Sequence, residues 1–152
     1  MRIAAVSDTG PLIHLAEIDS LELFSVFDRL CIPQTVYEEL QEGGVPDVLA
    51  SLDFERSEAS PEQRTDKLDA GERAAIALAN ERDFVLLTDD LAARELAADA
   101  GIEVHGSIGV IALAYSRERL SRSEAASLMR ALQDETSLFV TDAVIERGIG
   151  LL

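Results

Sequence analysis

The chain has 152 residues, of which 47% are hydrophobic, and it carries a formal net charge of −16. This length and composition fit one compact domain, expected over residues 1–152, rather than a disordered segment. The acidic charge argues against a general nucleic-acid binder, because such proteins usually present a basic face. No apolar run reaches the roughly 18 residues that a membrane span needs. The single cysteine and the lack of a signal-peptide pattern indicate a cytoplasmic protein with no internal disulfide.

Strand-like and helix-like segments alternate along the chain. Short apolar runs predict strands at residues 3–7, 30–32, 84–88 and 102–105. Helical periodicity and capping residues predict helices at 11–16, 21–27, 33–43, 46–52, 69–82, 91–100, 107–115, 121–132 and 143–147. The polar stretch 53–63 is expected to be an irregular loop. This alternation predicts an α/β fold with a parallel sheet covered by helices on both faces.

Two carboxylates follow predicted strands. Asp8 comes directly after the strand at 3–7, and Asp90 comes two residues after the strand at 84–88. The functional crevice of a parallel sheet lies at the carboxyl ends of its strands, so we expect these two acids to share one site. Each also precedes a predicted helix, and the alternative interpretation is that each is only a helix N-cap.

Two further acids lie on the apolar faces of predicted helices. Glu39 stands between Val36 and Leu40, and Glu72 stands on the face of the helix that begins near Asp69. The alternatives are that Glu39 is a partly exposed acid at the edge of its stripe and that Glu72 closes a capping box with Asp69. Clustered buried carboxylates resist ionisation unless a cation is bound. The four acids together therefore predict a divalent-metal site.

The segment Thr88-Asp89-Asp90 is the strongest local signal. Two adjacent acids after a buried strand are unfavourable unless a cation or a helix N-terminus offsets their charge. We expect Asp90 to be the primary ligand and Asp89 a second or supporting one, the alternative being that Asp89 faces solvent. The Thr88 hydroxyl is expected to orient a water or a carboxylate. Arg94, one helical turn after Asp90, is positioned to reach a phosphate or to pair with an acid.

Other site chemistries are disfavoured. Two isolated histidines, His14 and His105, and the single Cys31 do not form a zinc motif. Neither a P-loop nor a dinucleotide fingerprint occurs. An aspartate-nucleophile phosphatase would need an acid at Gly10, and a receiver domain would need a lysine at a late strand end, whereas Lys67 precedes a helix.

A local basic cluster lies in the last third of the chain. It consists of Arg117, Arg119, Arg122 and Arg130. Such a cluster could follow an RNA backbone. We interpret it instead as the solvated surface of helices.

Four stretches of the chain resemble the PIN-domain nucleases. They are Ser7-Asp8-Thr9-Gly10-Pro11-Leu12-Ile13, Ile32-Pro33-x-x-Val36-x-x-Glu39-Leu40, Leu68-Asp69-x-Gly71-Glu72-x-x-Ala75-Ile76 and Leu86-Leu87-Thr88-Asp89-Asp90. The resemblance is to a prokaryotic branch similar to the VapC-type toxins of VapBC toxin–antitoxin pairs, and it covers about residues 3–116.

This resemblance implies a three-layer α/β/α sandwich with a mainly parallel sheet and a ribonuclease site that uses Mg²⁺ or Mn²⁺. The catalytic and metal-binding positions of the family fall on Asp8, Glu39, Glu72 and Asp90. The supporting residues are expected to be Ser7, Thr88, Asp89 and Arg94. Glu72 stands where many family members have Asp, so its carboxylate extends about one methylene further.

The same resemblance implies partners. They are an RNA substrate, an antitoxin protein and a second copy of the chain in a homodimer. The apolar segments at residues 13–15 and 110–115 are the candidate dimer faces. The alternative function is a catalytically degenerate PIN-like module for protein interaction; the charge of −16 favours it and the presence of all four acids opposes it.

Overall fold

In the computed structural model, which describes residues 2–43, 46–58 and 68–152, five strands form one parallel sheet. The strands are β1 (Ala4–Ser7), β2 (Arg29–Pro33), β3 (Glu55–Ser57), β4 (Val85–Leu87) and β5 (Val104–His105). Their order across the sheet is β3-β2-β1-β4-β5. The connections run one way from β1 to β3 and then cross to β4 on the other side, so the topological switch lies between β1 and β4. Ligand crevices in open α/β sheets form at the carboxyl ends of such strands.

Helices pack on both faces of this sheet, which confirms the predicted three-layer α/β/α sandwich. Within the described ranges the helices are α1 (Thr9–Glu17), a 3₁₀ helix (Leu21–Val26), α2 (Gln34–Glu42), α3 (Pro46–Ala50), α4 (Ala70–Arg82), α5 (Leu91–Asp99), α6 (Ser107–Ser116), α7 (Arg122–Glu135) and α8 (Asp142–Gly150). Ala5 and Leu87 point into the core formed with α1, α6 and α7, whereas Val6 and Leu86 point into the core formed with α4 and α5. Successive strand residues face opposite sides, and this alternation also separates the side chains that follow the strands.

The strand β3 corrects the prediction of an irregular loop over residues 53–63. It pairs in parallel with β2, with Cys31 opposite Glu55 and Pro33 opposite Ser57. Its polar sequence carries no strand pattern because it is an edge strand, and charged residues on an edge discourage pairing with other chains. Arg29 of β2 donates to both carboxylate oxygens of Glu55, at 2.8 and 2.9 Å. Residues 59–63 of the predicted loop lie outside the described residues.

Several helix ends agree with the sequence signals. Asp69 and Glu72 form a complete capping box at the start of α4, and Ser121 and Glu124 form another at the start of α7. Gly101, with φ of 79°, follows α5 in the left-handed region that glycine adopts without strain. Pro33 differs from its prediction as the first residue of a helix. It is the last residue of β2 and the N-cap of α2, which begins at Gln34.

The C-terminal helices pack onto the same core as α1 and α6. Met129 and Leu132 of α7 are fully buried, and Ile145 of α8 is nearly so. A Cβ at Gly148 would lie 2.8 Å from Ile108 Cγ2, so this glycine lets α8 approach α6 closely. No helix in the described ranges is long and apolar enough to cross a membrane.

The candidate dimer faces are largely used inside the chain. Leu15, Val110, Ile111 and Ala114 are all 0% exposed and belong to the intramolecular core. They therefore cannot contribute to a surface between two folded copies. The remaining members of the two segments are only partly exposed.

Candidate active site

Asp8 lies at the carboxyl end of β1 and caps the N-terminus of α1. The residue is only 4% exposed. Its Oδ1 accepts a hydrogen bond from the Thr9 N–H at 2.8 Å, and its Oδ2 accepts one from the Thr88 hydroxyl at 3.0 Å. Burial raises the pKa of Asp8 to about 6, and the negative charges of Asp69 and Glu39 act in the same direction against these two hydrogen bonds. A buried aspartate in this setting ionises reluctantly, and a nearby cation would ease its ionisation.

Thr88 connects Asp8 to Asp90. Besides donating to Asp8, its hydroxyl accepts a hydrogen bond from the Asp90 N–H at 3.2 Å. This is the carboxylate-orienting role expected for Thr88 from the sequence. Ser7 is fully buried and donates to the Asp8 carbonyl oxygen at 2.9 Å, so it fixes the backbone rather than entering the site.

Asp90 is the N-cap of α5. Its Oδ2 accepts a hydrogen bond from the Ala93 N–H at 2.9 Å. The N-cap interpretation is therefore correct, yet the cap uses only one carboxylate oxygen. A carboxylate offers about four lone-pair positions, so a ligand role is compatible with the cap.

Glu72 lies in the first turn of α4, where the capping box orients it. Its Oε1 accepts a hydrogen bond from the Asp69 N–H at 2.9 Å, and Asp69 accepts one from the Glu72 N–H at 2.8 Å. The pKa of Glu72 is raised to about 7, first by partial burial and then by the negative charges of Asp69, Asp8 and Asp90, while the hydrogen bond from the Asp69 N–H opposes the shift. The charges of Asp8 and Asp90 therefore act on Glu72.

Glu39 rests on the start of α4. A Cβ at Gly71 would lie 2.5 and 2.7 Å from the two carboxylate oxygens of Glu39, so glycine is what allows this contact. Burial raises the pKa of Glu39, and the charges of Asp69 and Glu72 add to it, while a hydrogen bond from the Gly71 backbone opposes the shift. A carboxylate at a helix N-terminus is favourable, which explains why this acid is tolerated here.

Asp69 is the acid that the sequence did not assign to the site. Its charge raises the pKa values of Asp8, Glu39 and Glu72. The available signal was the capping pattern, which accounts for Asp69 as an N-cap without indicating that it lies beside three other acids. Five acids therefore influence one another at this end of the sheet.

Asp89 differs from these acids because hydrogen-bond donors occupy its carboxylate. Its Oδ1 accepts from the Ser107 N–H at 2.7 Å, and its Oδ2 accepts from the Ser107 hydroxyl at 2.6 Å. Nδ1 of His14 lies 2.7 Å from the same Oδ2, and the Asp89 side chain is 8% exposed. The solvent-facing interpretation of Asp89 is wrong, and its contacts support a positioning role over that of a second metal ligand. It joins α1 and α6 to the end of β4.

Arg94 does not pair with an acid among the residues that the structure describes, and its expected contact with a phosphate stays a prediction. Its Nη1 lies against Gly106, where an added Cβ would be only 2.5 Å away. No hydrogen bond or ion pair joins its guanidinium to any residue that the structure describes. Pairing of Arg94 with an acid, one of the two sequence expectations, is therefore not found among those residues.

The acids do not form a ready-made metal cage. Among residues 2–43, 46–58 and 68–152, no group of three His, Cys, Asp or Glu side chains is placed to hold one ion. The charges of Asp8 and Asp90 nevertheless both raise the pKa of Glu72, so the three acids lie within electrostatic reach of one another. Mg²⁺ commonly keeps several waters and contacts one or two carboxylates. The donor set fits such a partly hydrated ion better than a closed protein cage.

Comparison with known families identifies the fold. A family model described as DUF3368, PIN domain, matches residues 4–152 of the chain. The chain belongs to the PIN domain family. PIN domains are generally nucleases that bind nucleic acid and use divalent metals. An acidic site at the carboxyl end of the sheet is consistent with that class of protein.

A solved structure supports the same fold for this PIN domain. It is a PilT N-terminus domain protein from the hyperthermophilic archaeon Sulfolobus solfataricus P2, with 17% sequence identity and a TM-score of 0.58. The match covers 76% of this chain and 95% of that one. At this identity the likeness establishes the fold alone. No curated protein matched the chain, and the VapC-type branch stays a prediction.

Proposed function

We propose that this PIN domain hydrolyses RNA phosphodiesters with Mg²⁺ or Mn²⁺ held by Asp8, Glu72 and Asp90. The observation that carries the proposal is that the charges of Asp8 and Asp90, which follow β1 and β4, both raise the pKa of Glu72 in the first turn of α4. Repulsion of this kind makes the metal-free ionised site costly and a cation-bound site favourable. Glu39 and Asp69 add negative charge around the three ligands.

The chain's own groups prepare the site. Thr88 and the Thr9 N–H hold the two oxygens of Asp8, while α5 holds one oxygen of Asp90. Each carboxylate keeps lone pairs for the ion or its waters. When bound, Mg²⁺ or Mn²⁺ supplies an acidified water and neutralises charge at the scissile phosphate.

Glu72 is the proposed proton acceptor. In hydrolysis, a water oxygen forms a bond to phosphorus, the bond from phosphorus to the leaving oxygen breaks, and the water gives up a proton. The capping box occupies only Oε1 of Glu72, so Oε2 is the oxygen that would take this proton. The pKa of about 7 belongs to the metal-free protein, because a bound cation would lower it.

We extend the proposal to a toxin role with an antitoxin partner and a homodimeric state. Support for these finer points comes from the resemblance of the sequence motifs to the VapC-type branch. The site adds one physical reason for a partner, because an acidic cluster can accept an arginine from a bound protein.

The test combines metal binding with cleavage. Calorimetry with Mg²⁺ and Mn²⁺ on the wild type and on Asp90→Asn, at low and high KCl, should show binding that the variant loses. A labelled RNA should be cut by the wild type with either metal. Asp99→Asn, an exposed aspartate at the far end of the same helix, is the matched control and should bind metal normally. Unchanged metal binding by Asp90→Asn would contradict the assignment of Asp90.

A second candidate function is a catalytically degenerate interaction module. Two observations favour it: the net charge of −16 and the lack of a three-ligand metal group in the described part of the chain. If neither metal binds at millimolar concentration in either salt, and no RNA is cut, this second function replaces the first.

A further inference from the structure

Arg94 is unusual among the arginines of the chain. It is partly buried and has no hydrogen bond or ion pair to any described residue. The other partly buried arginines in those ranges have partners. Arg73 donates to the Leu68 carbonyl at 2.9 Å, Arg82 lies 3.5 Å from the Cys31 sulfur, and Arg117 also has an interaction. Withdrawing a cation from water without a partner costs free energy, so the conformation of Arg94 calls for an explanation.

The guanidinium lies at the same end of the sheet as the acids. It sits against Gly106, directly after β5, and the Thr88 carbonyl is 3.4 Å from where a Cβ on Gly106 would be. Across the sheet β5 is next to β4, which Thr88 and Asp90 follow. Arg94 therefore places a positive charge beside an otherwise acidic edge.

Nearby acids leave Arg94 available. Asp89 lies near the guanidinium, since both would touch a Cβ on Gly106, but its carboxylate already contacts the N–H and hydroxyl of Ser107 and the ring of His14. Arg94 forms no ion pair with it or with any other acid that the structure describes. The Arg94 guanidinium therefore lies near the acidic edge of the sheet without an ion pair to any acid that the structure describes.

We propose that Arg94 binds a backbone phosphate of the RNA strand next to the phosphate that is cleaved. The assignment deepens the proposed nuclease function and depends on it for the identity of the substrate. A planar guanidinium makes two parallel hydrogen bonds to phosphate oxygens, which fixes position as well as charge. At an edge dominated by carboxylates, one such contact offsets part of the repulsion between protein and RNA.

Gly106 is the residue that makes room for this contact. A Cβ there would lie 2.5 Å from Arg94 Nη1 and 2.6 Å from Asp89 Oδ1. Neither group can remain in place if any side chain is added. Gly106→Ala should therefore displace the Arg94 guanidinium. Like Arg94→Gln, it should weaken RNA binding.

The experiment measures the salt dependence of RNA binding. The probe is a fluorescent RNA, with binding followed by anisotropy across a KCl series in EDTA, which removes the metal that cleavage by an activated water requires. Arg94→Gln should bind about tenfold more weakly and reduce the slope of log K against log salt by about 0.7, the value for one phosphate contact on a single strand. Arg122→Gln is the matched control, because Arg122 is an exposed helical arginine of the C-terminal basic cluster.

Arg94→Lys separates charge from structure. Lysine keeps the charge without the planar fork, so the salt slope should return while affinity recovers only in part. Urea unfolding of Arg94→Gln should show wild-type stability. A wild-type slope and affinity in Arg94→Gln would overturn the assignment, and so would an equal loss in Arg122→Gln.

Cleavage of RNA distinguishes failure of the phosphate contact from failure of the nuclease function. If the wild type cuts RNA and Arg94→Gln keeps the wild-type salt slope, the phosphate contact is wrong and the nuclease function stands. If the wild type binds the probe without cutting RNA and Arg94→Gln lowers the slope, the nuclease function is wrong and the phosphate contact stands. Absence of both binding and cutting overturns both.

Discussion

Two groups of carboxylates at the end of one sheet behave in opposite ways. Asp8 and Asp90 lie on the side of the sheet that α4 and α5 cover, and Glu72 belongs to α4. The charges of Asp8 and Asp90 raise the pKa of Glu72. Asp89 follows β4 on the opposite face, where three contacts from His14 and Ser107 satisfy it. All lie at the same edge of the sheet, yet the first three repel one another whereas Asp89 joins two helices to the end of β4.

The difference shows that the partners of an acid, more than its position, indicate its role. A carboxylate whose oxygens already accept hydrogen bonds, as those of Asp89 do from Ser107, is satisfied without an external ion. Carboxylates surrounded by other carboxylates need an external charge. Asp8→Asn and Asp89→Asn, which differ from the wild type by the same atoms, therefore test the comparison directly.

The largest expected effect is on cleavage. Asp8→Asn should lower kcat/KM for RNA by on the order of 10²–10³, because the substitution removes a proposed ligand of the catalytic ion. Asp89→Asn should lower it by less than about tenfold, since that side chain positions helices without touching the substrate. Steady-state kinetics with both variants at a temperature where each is folded provides the measurement. Equal losses would remove the functional distinction between the two groups.

The next effect is on stability as a function of pH. The pKa of Asp8 rises from 3.8 to about 6 on folding, so the folded protein holds this proton more tightly than the unfolded chain does. Metal-free wild type should therefore lose stability, relative to Asp8→Asn, as the pH rises from about 4 to about 7, by about 2–3 kcal/mol in total. Urea unfolding in EDTA at several pH values checks this. Parallel stability curves for the two proteins would contradict the raised pKa of the buried Asp8 carboxyl.

Asp89→Asn should act on stability in the opposite sense. Its amide group cannot accept all three contacts from Ser107 and His14, so the variant should unfold about 2 kcal/mol more easily than the wild type near neutral pH. The exposed Asp99→Asn is the control and should change the free energy of unfolding by less than about 0.5 kcal/mol. Wild-type stability in Asp89→Asn would show that the network contributes little.

The smallest effect is stabilisation by metal. Mg²⁺ at ten times its dissociation constant should stabilise the wild type by about 1.4 kcal/mol, since the ion binds the folded state alone. Asp89→Asn should gain the same increment and Asp8→Asn should gain none. Thermal unfolding with Mg²⁺ and with EDTA gives the measurement. An equal gain in Asp8→Asn would place the ion elsewhere.

Local patterns predicted much of the fold. The apolar runs before Asp8 and before Thr88 correspond to the central strands β1 and β4, and the capping residues Asp69 and Ser121 mark helix starts. Such signals depend on near neighbours in the chain, so they can be read without the fold. The sequence did not predict the edge strand β3. Among the described residues this strand pairs with β2 alone, and its residues are polar and largely exposed, so it lacks the apolar pattern by which strands are recognised.

Parts of the site depended on contacts between distant residues. His14 lies 75 positions from Asp89 in the chain, and neither residue alone indicates the other. The approach of Glu39 to Gly71 and of Arg94 to Gly106 likewise depends on how helices pack. Gly71 and Gly106 carry no sequence signal for these two contacts, because the side chain that occupies the space beside each glycine comes from another element.

Apart from β3, the sequence by itself determined the order of strands and helices, and it placed Asp8 and Asp90 at strand ends. Periodicity and capping act over a few residues, so they survive in the linear chain. Only the tertiary structure decided that Asp8 and Glu72 would repel each other while Asp89 would be satisfied. Burial and charge act through space, and the pKa of a carboxylate depends on groups that folding brings beside it.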